Sequence, residues 1–235
     1  MAIAMTDRVL SEEFWPAEGR ALIAKRIFLV MLGIAALALA AKIKIPLWPS
    51  PVPVTLGTFA VLTIGAAYGP RLGLTTILGY MVIGALGFDV FANSSAEANG
   101  LTYMMGGTGG YLVGYVLATL ALGYAARMGW DRKVWQMAGA MLVGNALIYI
   151  PGILWLAQLY TWEQPILAWG LTPFLIGDAM KLVLAALIVP AVWKLVGRAR
   201  GKDLPFRIRE GRGRWLRPFF MCRCLVGAGS EYFWQ

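Results

Sequence analysis

The chain is predicted to be an all-α integral membrane protein, a bundle of six transmembrane helices with both termini cytoplasmic. Three observations predict it: 59% hydrophobic against 14% charged residues over 235 positions, a mean hydropathy of +0.67, and long stretches without any charge. A water-soluble domain has no interior large enough to hide so much apolar surface. The uncharged runs are Ile27 to Ala41, Ile45 to Pro70, Leu72 to Phe88, Ala98 to Ala126 and Val134 to Trp162. About 20 apolar residues cross the roughly 30 Å hydrocarbon layer, so each run supplies at least one candidate span.

The first helix is expected over residues 23–42, its short uncharged core extended by snorkelling of Lys25, Arg26 and Lys42. The run Ala38-Leu39-Ala40 has the form of a signal-peptide cleavage site. The segment before the apolar run carries Asp7, Glu12, Glu13 and Glu18, which a basic leader avoids, so the helix is expected to be retained. Residues 46–53 contain four prolines and predict a stiff extended connector, with Trp48 either part of that connector or an apolar lid over a cavity. The second and third helices are expected over 54–69 and 71–87, separated at Gly69-Pro70. The fourth is expected over 108–127, where Gly106, Gly110, Gly114 and Ala118 recur every four residues and give a small-residue groove for a neighbouring helix. The outer end of this helix, opened by Gly106 to Gly110, has the alternative reading of an anion site at a helix N-terminus. The fifth and sixth helices are expected over 134–157 and 169–194.

Short-loop lysines and arginines set the orientation. Arg20, Lys25, Arg26, Arg71, Arg127, Arg132, Lys133, Lys194, Arg198, Arg200 and Lys202 mark the cytoplasmic side, whereas 87–107 and 158–168 carry only acidic charges and face outward. Lys42 and Lys44 break that rule locally. The net charge of +9 is therefore assigned to membrane orientation and not to a nucleic-acid partner, because the basic residues flank apolar runs. The chain divides into an N-terminal cytoplasmic segment over 1–22, the membrane domain over 23–198, and a basic tail over 199–235 expected to be disordered. Cys222 and Cys224 lie in that tail and carry no assigned role.

Histidine is absent, which removes serine–histidine–aspartate catalysis and histidine-ligated metals. With no G-x-x-x-x-G-K-[ST] run for a nucleotide, no enzyme activity, resident metal or cofactor is expected. The residues that invite a function are Asp178 and Lys181. They stand three apart on one face of the sixth helix, roughly 13 and 18 Å below an outer end at Trp169. A charge at that depth costs at least about 2.5 kcal/mol on insertion scales, so the pair faces a cavity, a partner or a ligand, or neutralises itself.

The order and spacing of several motifs resemble the BioY family, the biotin-specific substrate-binding subunits of energy-coupling factor transporters. They are Ile45-Pro-Leu with Ser50-Pro-Val-Pro-Val-Thr55, Gly69-Pro-Arg-Leu-Gly73, Val90-Phe-Ala-Asn93, Gly107-Thr-Gly-Gly-Tyr-Leu112 and Gly177-Asp178-Ala-Met-Lys181. The resemblance spans roughly 27–198. It implies a multi-pass protein of the bacterial inner membrane that captures biotin from outside and docks on a transmembrane coupling subunit driven by two ATPases. It also implies that Asn93 and Asp178 satisfy the ureido ring, and that Lys181 pairs with the valerate carboxylate or bridges polar groups through water. Phe91, Tyr111 and Trp169 are apolar surfaces suited to the bicyclic ring, and Ala36 and Ala40 match the small-residue pair that packs on the coupling subunit. Gly57 departs from the resemblance, which has glutamine there in many members. Two other readings remain beside it: a binding subunit for another small vitamin, and a proton-coupled secondary transporter titrating Asp178.

Overall fold

The computed structural model describes residues 9–14, 18–45, 52–94, 99–162 and 164–203. The expectations for Trp48 and for the cysteine-bearing part of the tail lie outside them. A short helix α1 (Leu10–Phe14) precedes α2 (Gly19–Lys42). Two strands, β1 (Lys44–Ile45) and β2 (Val54–Thr55), pair antiparallel with Lys44 opposite Thr55. There follow α3 (Gly57–Ala85), α4 (Gly100–Met104), α5 (Gly109–Arg127), a 3₁₀ turn (Trp130–Arg132), α6 (Val134–Tyr160), α7 (Ile166–Gly170) and α8 (Thr172–Asp203).

The expected break between the second and third helices lies inside α3. Gly69 takes φ +77° and ψ 179°, a backbone state that favours glycine, and Pro70 cannot supply the amide that would continue the helix. The chain folds back on itself there, since a Cβ placed on Gly73 would lie 3.6 Å from the Cα of Gly65. Eight residues of unbroken helix would hold those two about 12 Å apart. Both arms press on α5 at one place: Cβ positions on Gly65 and Gly73 would come within 3.1 Å of the Thr119 backbone and 2.8 Å of its methyl. Thr119 is fully buried there and returns its hydroxyl to the Tyr115 carbonyl of its own helix at 2.8 Å.

The small-residue groove of α5 faces α6. A Cβ on Gly114 would stand 2.6 Å from the Cα of Ile148, and one on Gly110 would stand 2.3 Å from the Pro151 carbonyl oxygen, so the backbones touch with no side chain between them. On the other flank, α2 lays Gly33 against Thr76 and Tyr68 of α3. Outward faces are apolar: Ile27 on α2, Leu142 on α6 and Leu184 on α8 are each at least half exposed. In water that surface would be an aggregation hazard, whereas lipid tails solvate it. Four segments, Gly19–Lys42, Gly109–Arg127, Val134–Tyr160 and Ile166–Leu195, are long and apolar enough to cross a membrane, and each arm of α3 is shorter. The expected sixth helix is broken at Leu171 into α7 and α8, so Asp178 lies only about 9 Å along α8 from its first residue.

At the end of the bundle reached by the C-terminus of α5, the 3₁₀ turn is tied to α8. Trp193 donates its indole N–H to Asp131 at 2.5 Å, and the Arg132 guanidinium stands 4.7 Å over the Trp193 ring. Asp131 is fully buried, and desolvation pushes its carboxyl up to about 6, against the smaller opposing pull of the Trp193 hydrogen bond. The folded protein therefore holds this proton at pH values where the unfolded chain, near the ordinary 3.8, has released it. The stabilisation is complete below 3.8 and is lost as pH rises through 6. Thermal midpoints in detergent are expected to fall between pH 4 and 7 more steeply for the wild type than for Asp131→Asn, and equal slopes would refute the assignment.

Candidate functional site

At the opposite end, α2, α3, α4, α5, α6 and α8 line a chamber. Its floor and sides are aromatic: Tyr80, Phe91, Tyr103, Tyr111, Tyr149 and Phe174 all line it. Phe91 comes from the loop after α3. It is 1% exposed, stacks on Tyr103 at 4.8 Å and meets Tyr80 edge-on at 5.4 Å. Gly84 makes room for it, since a Cβ there would overlap the Phe91 ring. Tyr80 donates its hydroxyl to the Val90 carbonyl at 3.0 Å, fastening this loop to α3. Tyr111 is fastened likewise, to the Gly170 carbonyl at 2.9 Å.

None of the described residues lining the chamber is charged, and its polar character comes mainly from hydroxyls. Two of these hydroxyls lead to the buried pair. Asp178 is 4% exposed, and its Oδ1 accepts from Thr58 at 3.2 Å and from Lys181 Nζ at 2.8 Å, while Oδ2 accepts from the Tyr149 hydroxyl. Lys181 also donates to the Thr55 carbonyl at 2.6 Å and to Thr58 at 3.3 Å. The pair therefore sits behind the chamber wall, connected to it through Thr55, Thr58 and Tyr149, which all face the cavity. A carboxylate has about four lone-pair directions, and three are occupied, leaving one on Oδ2.

The remaining sequence-derived residues fall at different depths. Phe91 and Tyr111 line the chamber. Asn93 does not; it is exposed beside the mouth, and its Oδ1 accepts from Lys44 Nζ at 2.6 Å. Trp169 is half-buried in α7 against Tyr160, ring centroids 6.0 Å apart, and is not a lining residue. On α2, Ala36 is exposed on the bundle surface and Ala40 is half-buried. Gly57 lines the chamber, where a Cβ would come 2.9 Å from the Tyr115 hydroxyl, so the space of a side chain at 57 is held by that tyrosine.

The two lysines that break the charge rule belong to the mouth. Lys42 pairs with Asp89 at 2.5 Å, and Lys44 donates to the carbonyl of Ala92 at 2.7 Å as well as to Asn93. The Lys42 hydrogen bond, followed by that of Ser94, holds the Asp89 carboxyl below its ordinary range. Tyr149 and Thr58 are functional candidates that the sequence alone did not single out. The available signal was a tyrosine midway along an otherwise apolar helix, whose hydroxyl must find a partner when buried.

Apolar-faced helices around a chamber of aromatic rings and hydroxyls, with an ion pair in its wall, define a membrane-embedded binding protein for a small polar molecule. The BioY family profile matches residues 10–198, and the chain belongs to the BioY family. It is 34% identical to the "Probable biotin transporter BioY" of Pyrococcus horikoshii over 70% of this chain and 94% of that protein. It is also 34% identical to the "Biotin transporter BioY" of Thermotoga maritima, over 68% and 91%. Among solved structures, the fold is similar to the S-component for biotin from an ECF-type ABC transporter, with a TM-score of 0.64 and 20% identity, covering 76% of this chain and 95% of that one.

Proposed function

We propose that the chain is the biotin-binding subunit of a vitamin uptake system, crossing the membrane six times with both termini inside. In this reading the two arms of α3 form two of the six crossings. Uptake is energised by partner ATPases through a coupling subunit that packs on the Ala36–Ala40 face of α2, where small residues permit close backbone approach. The observation that carries the reading is the hydroxyl wall backed by Asp178 and Lys181. Biotin's ureido group offers two N–H donors and one carbonyl acceptor; the wall offers hydroxyls that both donate and accept, and behind them Asp178 retains one unfilled acceptor direction on Oδ2. The aromatic rings receive the fused bicycle.

The acid end of the ligand then points to the mouth. Lys181 is already matched by Asp178, whereas among the described residues Lys44 donates only to two neutral oxygens, those of Ala92 and Asn93. Equilibrium binding to the purified protein in detergent tests both parts. Wild type is expected to bind biotin saturably, and its absence would end the biotin reading. Lys44→Gln is expected to weaken biotin by about fivefold, the size of a rim charge contact, and to leave biotin methyl ester unchanged. Equal weakening of both ligands would remove Lys44 from the role.

A further inference from the structure

At the end of the bundle away from the chamber lies a second cavity, between α1, α2, the turn and second arm of α3 and the end of α5. Four cationic residues line it: Lys25, Arg26, Arg71 and Arg127. Among the described residues the one acidic lining residue is Glu12, and Arg127 pairs with it at 3.2 Å. The side chains of Arg26 and Arg71 make no hydrogen bond or ion pair with the described residues, and both line the same space. Both arginines are exposed at this cavity, and their planar forks suit phosphate oxygens.

This basic cavity does not stand alone. Ser11, Leu29 and Tyr68 also line an open groove between α3 and α8, past Phe59, Ala67, Ile188 and Val192. None of the described residues lining the groove is charged. A cationic pocket that shares its edge with an apolar groove has the two-part chemistry of a phospholipid. The basic end also coincides with the side that the lysine and arginine distribution places in the cytoplasm, where anionic lipids concentrate.

We propose that the joined cavity holds an anionic phospholipid, its phosphodiester between Arg26 and Arg71 and an acyl chain along the α3–α8 groove. This site is separate from the chamber and does not depend on what the chamber binds. The test uses the full chain purified in an uncharged detergent, with lipid retention read by native mass spectrometry and thermal midpoint read alongside. Phosphatidylglycerol is expected to be retained and to raise the midpoint, and phosphatidylcholine to do neither. Glycerol phosphate, which has the head chemistry without the chain, is expected to give no shift at matched concentration. Arg26→Gln/Arg71→Gln is expected to lower phosphatidylglycerol affinity about tenfold, and Arg26→Lys/Arg71→Lys to retain part of it. Because neither arginine has a described partner, the glutamine variant is expected to keep the lipid-free midpoint of the wild type. Equal retention of both lipids, a full shift with glycerol phosphate alone, or undiminished phosphatidylglycerol binding by the glutamine variant would each overturn the proposal. The first of these is the result expected if the groove instead receives a helix of a partner subunit.

Discussion

Asp178→Ala is expected to abolish biotin binding and to destabilise the folded protein by about 3–5 kcal/mol, the size seen when one member of a buried ion pair is removed. The substitution strips Lys181 Nζ of its only carboxylate among the described residues and leaves the hydroxyls of Thr58 and Tyr149 without their shared acceptor. Lys181→Met makes the reciprocal defect, a buried carboxylate without its cation. The double variant removes both charges together, so it is expected to recover most of the lost stability, and a melting series in detergent reads this as a large coupling energy. Biotin binding is not expected to return, because the ureido acceptor is still missing. Additive losses would show that the pair is not one energetic unit. Recovery of binding in the double variant would show that Asp178 serves the wall and not the ligand. Tyr149→Phe gives a graded version, losing one hydrogen bond to a charged group, about 1.5–3 kcal/mol.

The largest purely structural effect is expected at Gly123. A Cβ there would fall 2.4 Å from the nitrogen of Pro70, 2.6 Å from its Cα and 2.7 Å from the carbonyl carbon of Gly69. All three are backbone atoms of the turn between the arms of α3, so no side-chain rotation relieves the overlap, and the turn itself is fixed by the glycine conformation at 69. Gly123→Ala is therefore expected to cost at least about 3 kcal/mol, at or beyond the upper end of ordinary overpacking. It should appear as a marked fall in thermal midpoint and in folded yield. Gly139→Ala is the control: nothing lies within 4 Å of a Cβ in that position on α6, and the gain in helix propensity is expected to be up to about 1 kcal/mol. A normal midpoint for Gly123→Ala would mean that α5 and the α3 turn are not in contact as described.

The long helices were legible because lipid and water impose opposite demands, and charge-free runs record which one a segment meets. The turn at Gly69-Pro70 was legible for a local reason, since proline cannot continue a hydrogen-bonded ladder. The short helices α4 and α7 were not, because five residues span too little of a helical period to register, and the strand pair involves only two residues on each side. In the candidate site, Asp178 and Lys181 stood out by the cost of burying charge. What they touch did not, because Thr55 and Thr58 approach them from 120 to 126 positions away. Lys42 and Lys44 looked like exceptions to the charge rule until their partners came into view, 47 to 49 residues on. Asn93 shows the opposite limit: its loop motif can be recognised from its spacing, but where its side chain points depends on a loop path that local sequence does not encode.

The carbonyl of Thr55 belongs to β2 at the mouth and is also the 2.6 Å acceptor for Lys181 at the wall. Displacing β2 from α8 leaves the Lys181 ammonium one acceptor short. The strand pair at the mouth and the charge in the wall are thus tied to each other by that one bond.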